Sequence, residues 1–115
     1  MRLINVTNGA VLGEWVEEAV TRRERRRGLL DRESLENGCG MYFKKCRQVQ
    51  TIWMRFPIDV LFIDRAGVLL RVLHSLPPGK ISPVVWHSRL VIELPAGVCR
   101  ATGTAVGHAV ELLQA

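Results

Sequence analysis

The sequence predicts an α+β fold: mostly antiparallel β-structure, arranged as a small barrel-like sheet with one or two short helices. Three observations carry this prediction. From Thr51 onward the chain is built of short, nearly continuous apolar runs bounded by Gly and Pro, as buried strands are. Asn8-Gly9 and Asp64-Arg65-Ala66-Gly67 lie between apolar segments and have the composition of hairpin connections. The clearest helix start is Thr21-Arg22-Arg23-Glu24, which has the spacing of a capping box.

Taken in order, Leu3 and Asn5 alternate with Ile4 and Val6 over Met1 to Val6, so a strand is expected there. A tight turn at Asn8-Gly9 and a second strand from Ala10 to about Val16 follow. At Thr21 the hydroxyl can accept from the Glu24 amide while Glu24 reaches back, so a helix begins, runs through the arginines and stops near Gly28. Inside it Glu24 is spaced to pair with Arg27, whereas Arg22/Arg26 and Arg23/Arg27 are like-charge neighbours that cost a few tenths of a kcal/mol each. Such frustration is tolerated if the arginines splay into water or if something anionic sits among them. Leu29, Leu30 and Leu35 anchor a second short helical turn, and Gly40 to Phe43 reads as a strand followed by an exposed connection over Lys44 to Gln48.

Ile52-Trp53-Met54, Ile58 to Ile63 and Val68 to Leu73 read as strands buried largely on both faces, the last two pairing antiparallel through Asp64–Gly67. His74 to Pro83 holds Pro77, Pro78, Gly79 and Pro83 and is expected to be a loop. Leu90 to Leu94 is a further strand stopped by Pro95-Ala96-Gly97. A helical turn over Val98 to Thr102 and a last strand over His108 to Leu113 complete the chain.

At 115 residues, 48% hydrophobic and 23% charged, the composition is that of one globular domain spanning residues 1–115, and it excludes disorder and collagen-like repeats. The net charge of +5 is concentrated: residues 22–55 hold ten Arg and Lys against four acids, and the rest of the chain six against seven. A basic segment can attract nucleic acid or another anion, or it can simply keep a helix face solvated. The three cysteines, Cys39, Cys46 and Cys99, form no disulfide framework, and Cys39 and Cys46 have no neighbouring His to complete a zinc set. The stretch MRLINVTNGA has too short an apolar run for a signal peptide, and no apolar stretch is long enough to cross a bilayer, so a cytoplasmic location is expected.

Arg25-x-x-Gly28-Leu29-Leu30-x-Arg32, Gly40-Met41-Tyr42-Phe43, Trp53-Met54, Pro57-Ile58-Asp59-Val60-x-Phe62-Ile63-Asp64 with Gly67, and Glu93-Leu94-Pro95-Ala96-Gly97 occur in this order. Together they resemble the bacterial and archaeal family known as domain of unknown function 192, over about residues 20–112. The resemblance implies a compact, mostly β, barrel-like α+β domain with a short Arg-bearing helix, and no established reaction. Two features depart from the family pattern. Only Arg55-Phe56 separates Trp53-Met54 from Pro57, where a longer insertion is usual. Gly107-His108 stands where Gly-Asp is usual, which puts that turn's hydrogen bonds in doubt.

The candidate site residues are polar groups in apolar surroundings. Asp59 lies between Ile58 and Val60, and Glu93 between Ile92 and Leu94. A carboxylate so placed must be paired or must face a cleft. Asp59 can serve as a structural tie, accepting backbone amides or pairing with an arginine such as Arg25, or it can anchor a ligand. Trp53 and Met54 read as core, or as the wall of a small pocket beside Asp59 and Arg25.

His74, His87 and His108 have no metal-ligand spacing, no serine sits in a nucleophile elbow, and no Gly-rich phosphate loop occurs, so no cofactor or metal is expected. Three functions remain. The first is a binding or accessory module with a site for a small ligand or protein partner at Arg25, Trp53, Met54, Asp59 and Glu93. The second is a hydrolase-like enzyme using Asp59 and Glu93, which requires both carboxylates within reach of one point. The third is a weak, unselective anion or nucleic-acid binder acting through Arg22, Arg23, Arg26 and Arg27.

Overall fold

The computed structural model describes residues 1–114, except for the side chain of Arg22. Its centre is a five-stranded sheet in the order β3 (Trp15–Glu18), β4 (Cys39–Lys44), β7 (Leu90–Pro95), β5 (Ile58–Ile63), β6 (Leu69–Leu76). All pairings are antiparallel except β3 with β4, which is parallel. A second sheet orders β2 (Val11–Gly13), β1 (Arg2–Asn5), β8 (Val110–Leu113). The helices are α1 (Arg22–Arg27) and α2 (Val98–Ala101). The fold is α+β and mostly antiparallel, as expected, with two short helices and its strands divided between two sheets that do not close into a barrel.

The expected capping box at α1 is present, with the Glu24 amide donating to Thr21 Oγ1 at 3.0 Å and the Thr21 amide donating to Glu24 Oε1 at 2.8 Å. That carboxylate is therefore spent on the helix start, and Arg27 pairs instead with Asp31 at 2.8 Å, one turn on. The segment from Leu29 forms turns rather than a second helix. The first two strands form the expected hairpin, but its connection is longer than two residues: the buried Asn5 Oδ1 accepts from the Thr7 and Asn8 amides and holds it closed. The expected second strand divides at Glu14, so that Val11–Gly13 joins the small sheet and Trp15–Glu18 the large one. His108 replaces the usual acid in its turn by offering Nδ1 to the Asn5 side-chain amide at 3.0 Å and to the Ala105 amide at 3.3 Å. Accepting at Nδ1 requires the ring proton to sit on Nε2.

Two strand expectations are corrected. Ile52-Trp53-Met54 is a turn, in which Trp53 adopts φ +72° and is 84% exposed while Met54 is buried. β6 runs on to Leu76 and is partly solvated, because it is the edge of its sheet.

The runs over β5 and β7 are apolar on both sides because the large sheet carries a core on each face. One face packs Tyr42, Leu61, Ile63, Ile92 and Leu94 against Leu3, Leu12 and Val110 of the small sheet and Cys99 of α2. The other packs Met41, Phe43, Val60, Phe62 and Val91 under Ala19, Leu29 and Met54, with Val49 and Phe56 alongside. Side chains alternate across a strand, so each residue of β5 and β7 is committed to one core by its register. Gly40 lets β4 pack closely against β7 within the large sheet: a Cβ there would lie 2.8 Å from both the Glu93 carbonyl oxygen and Leu94 Cδ2.

Candidate functional site

Asp59 and Glu93 stand on adjacent strands and point to opposite faces. The register pairs Asp59 with Leu94 and Val60 with Glu93, so Asp59 enters the core beneath the small sheet and Glu93 the core beneath α1. No substrate atom reaches both, and this separates the two acids that a hydrolase would need to bring together.

Asp59 is fully buried and its carboxylate is saturated by backbone donors: Ser75 N at 2.8 Å and Gly97 N at 3.2 Å on Oδ1, and Cys99 N at 2.9 Å on Oδ2. Gly97 at the start of α2 has no side chain to cap the helix, and the Asp59 carboxylate does this from β5. The same acid ties down β6 at Ser75, which holds φ +49°. Burial, and then the Asp59 charge, push the Cys99 thiol up to about 12, so it is an inert core group.

Glu93 differs in every respect except burial. At 5% exposed it has no hydrogen-bond partner or ion pair among the described residues, and burial pushes its carboxyl up to about 8. Burial thus favours its neutral acid form, and it opens on a cleft of ≈ 150 Å³. Leu29, Leu30, Phe43, Val49 and Met54 form the apolar wall, and Cys46 lies beside the acid. Burial raises the Cys46 thiol, the Arg25 charge partly offsetting this and the Glu93 carboxylate adding to it. Arg25, Arg26 and Arg27 form the rim, with the Arg25 guanidinium 6.0 Å from the centre of the Phe43 ring.

Gly28 explains how a helix of arginines comes to overhang a buried acid. It ends α1 at φ +49°, and a Cβ there would meet Phe43 at 3.4 Å and Glu93 Oε1 at 4.0 Å. The chain therefore turns directly over the carboxyl.

Of the five residues expected at a ligand site, the structure brings Arg25, Met54 and Glu93 to this cleft and sends Trp53 to the surface and Asp59 to the opposite core. Of the expected anion-binding arginines, Arg26 and Arg27 reach its rim, Arg23 is exposed, and the side chain of Arg22 lies outside the described residues. Phe43 and Cys46 line the cleft unheralded, since a strand aromatic and a lone thiol carry no local signal of a pocket. Among the described residues no group of three or more His, Cys, Asp or Glu is placed to hold a metal, and no helix is long and apolar enough to cross a membrane.

The family model DUF192, described as "Uncharacterized ACR, COG1430", matches residues 4–112. The chain is a member of the DUF192 family. A search of curated proteins finds no match. Two crystal structures resemble this DUF192 chain. One is a protein of unknown function from Novosphingobium aromaticivorans, with TM-score 0.82 and 20% identity over 96% of this chain and 82% of that one; it bears on the fold alone. The other is described as a "putative transcription regulator" of Sinorhizobium meliloti, with TM-score 0.80 and 28% identity over 96% of this chain and 89% of that one.

Proposed function

We propose that this DUF192 chain is a binding module for a small ligand with an apolar body and an anionic head group, held in the cleft between α1 and the large sheet. The observation that carries this reading is Glu93: an almost inaccessible carboxyl, unpartnered among the described residues, that opens on a cleft with an apolar wall and arginines in its lining. Retaining such a group costs stability, which is the usual mark of a functional position. As a neutral acid Glu93 can donate a hydrogen bond to the ligand, while the guanidinium groups supply the positive field and Leu29, Phe43 and Met54 receive the apolar part.

The Sinorhizobium meliloti neighbour is described as a regulator, but among the described residues neither helix has the length of a recognition helix, α1 spanning six residues and α2 four. A ligand-binding role accounts for more of the observed geometry.

Thermal unfolding in the presence of benzoate, hexanoate and hexylamine tests the proposal. The carboxylates are expected to raise the Tm of the wild type and not that of Arg25→Ala, and hexylamine is expected to leave it unchanged. Binding of benzoate weakens as pH rises through about 8, where Glu93 ionises. Glu93→Gln keeps a donor and removes that pH dependence. Failure of every carboxylate to shift the Tm overturns the reading.

A further inference from the structure

A second, larger cleft of ≈ 410 Å³ is lined by Arg47, Arg65, Arg89, Trp86, His87 and Asp64. It shares no lining residue with the Glu93 cleft: Cys46 and Gln48 line that one, and Arg47 between them lines this one.

Three features set it apart from an ordinary solvated basic surface. First, three arginines line one concavity, and none of them forms a salt bridge among the described residues. The one carboxylate in the lining, Asp64, uses Oδ1 to accept from the Ala66 and Val68 amides of its own turn, both at 2.9 Å. Asp64 sets one negative charge against three positive ones, and like charges gathered in such excess are unfavourable unless an anion neutralises them. Second, Trp86 presents an indole, 70% exposed, within the same cleft. Third, the segments carrying these side chains are held by backbone bonds: Arg89 N donates to Ile63 O at 2.8 Å, Val85 N to Arg47 O at 2.8 Å, and Lys45 N to Arg89 O at 2.7 Å. The buried Ser88 hydroxyl adds a bond to Cys46 O at 2.8 Å, which pins the turn bearing Trp86 and His87. The arginines therefore project from a preorganised frame.

We infer that this cleft binds a ligand of the nucleotide class, with its phosphates on Arg47, Arg65 and Arg89 and its base stacked on Trp86. Guanidinium groups match phosphate oxygens in bidentate geometry, and an exposed indole offers the flat face that a base covers. This site is independent of the Glu93 cleft and of the ligand proposed for it.

Calorimetric titration of the full chain at low salt with ATP, tripolyphosphate and a 5′-phosphorylated hexadeoxyadenylate tests the inference. ATP is expected to bind, and Arg65→Ala and Arg89→Ala each to weaken it about tenfold. Arg71→Ala and Arg100→Ala remove the same charge from exposed positions elsewhere and are expected to leave it unchanged. Trp86→Leu is expected to weaken ATP while leaving tripolyphosphate unaffected. Tighter binding of the hexanucleotide than of ATP, lost in the same variants, supports a strand end as the natural source; the reverse order supports a free nucleotide. No binding of ATP, equal losses from Arg71→Ala and Arg65→Ala, or equal losses of ATP and tripolyphosphate in Trp86→Leu each overturn the inference. All of these side chains lie on the surface, and an unchanged Tm verifies that each variant folds.

Discussion

The two faces of the large sheet each bury one carboxyl group, and they treat it in opposite ways. Beneath the small sheet, Asp59 accepts three backbone amides and joins β5, β6 and the start of α2 into one unit. Beneath α1, Glu93 accepts no hydrogen bond among the described residues and borders open space. Burial alone therefore does not mark a functional acid, since both are almost inaccessible. The informative quantity is how many of its hydrogen-bonding positions the protein itself fills. A filled carboxylate is architecture, and an unfilled one at a cleft is available for another molecule.

The comparison is broken most severely at Asp59. Asp59→Leu is expected to cost about 4 kcal/mol in chemical denaturation, because three buried amides lose a charged acceptor. Asp59→Asn costs somewhat less, and neither change affects binding of a carboxylate in the cleft by the molecules that remain folded. An Asp59→Leu chain as stable as the wild type would remove the architectural role.

The opposite sign is expected at Glu93. Its folded pKa lies near 8 against an ordinary 4.5, so between these values the folded state holds a proton that the unfolded chain has released. The stability associated with the protonated carboxyl is full below about pH 4.5 and is lost as pH rises through 8. Glu93→Gln removes this slope and is expected to be more stable than the wild type at pH 9 by about 2 to 3 kcal/mol. That is less than the full shift corresponds to, because water can enter the cleft. Parallel stability curves for the two proteins from pH 5 to pH 9 would refute the assignment.

Slack in packing distinguishes the faces next. Gly40→Ala is expected to cost about 2 kcal/mol, since the new methyl group meets a backbone oxygen and Leu94 in a filled core. Met54→Leu, on the wall of the cleft, is expected to cost less than about 1 kcal/mol. An effect of similar size concerns the roof of the cleft: Thr21→Ala removes one bond of the capping box and is expected to lower stability by about 1 kcal/mol while weakening carboxylate binding through α1. Thermal unfolding with and without benzoate reads both effects.

Much of this architecture is legible locally. The α1 capping box, the turn between β5 and β6, and the strands at Ile58–Ile63 and Leu90–Pro95 follow from motifs a few residues long, and so does the anomaly of an acid inside each apolar run. Trp53 was not legible in this way. Its neighbours are apolar, and only a backbone held at φ +72° turns its ring to solvent. The cleft likewise combines residues from α1, β4, the loop after it and β7, which no local pattern connects.

Composition and short-range pattern thus dictate which segments are strands and that Asp59 and Glu93 need explanation. They do not assign either acid to a face, because period-two alternation disappears in a strand whose two sides are both apolar. The assignment comes from the pairing of Asp59 with Leu94 and of Val60 with Glu93, a register set by contacts between distant parts of the chain. A slip of one residue would exchange the faces of every side chain on the strand. The amides of Gly97 and Cys99 lie on one side of the sheet and the arginines of α1 on the other, and this is why one acid became a tie and the other the floor of a cleft.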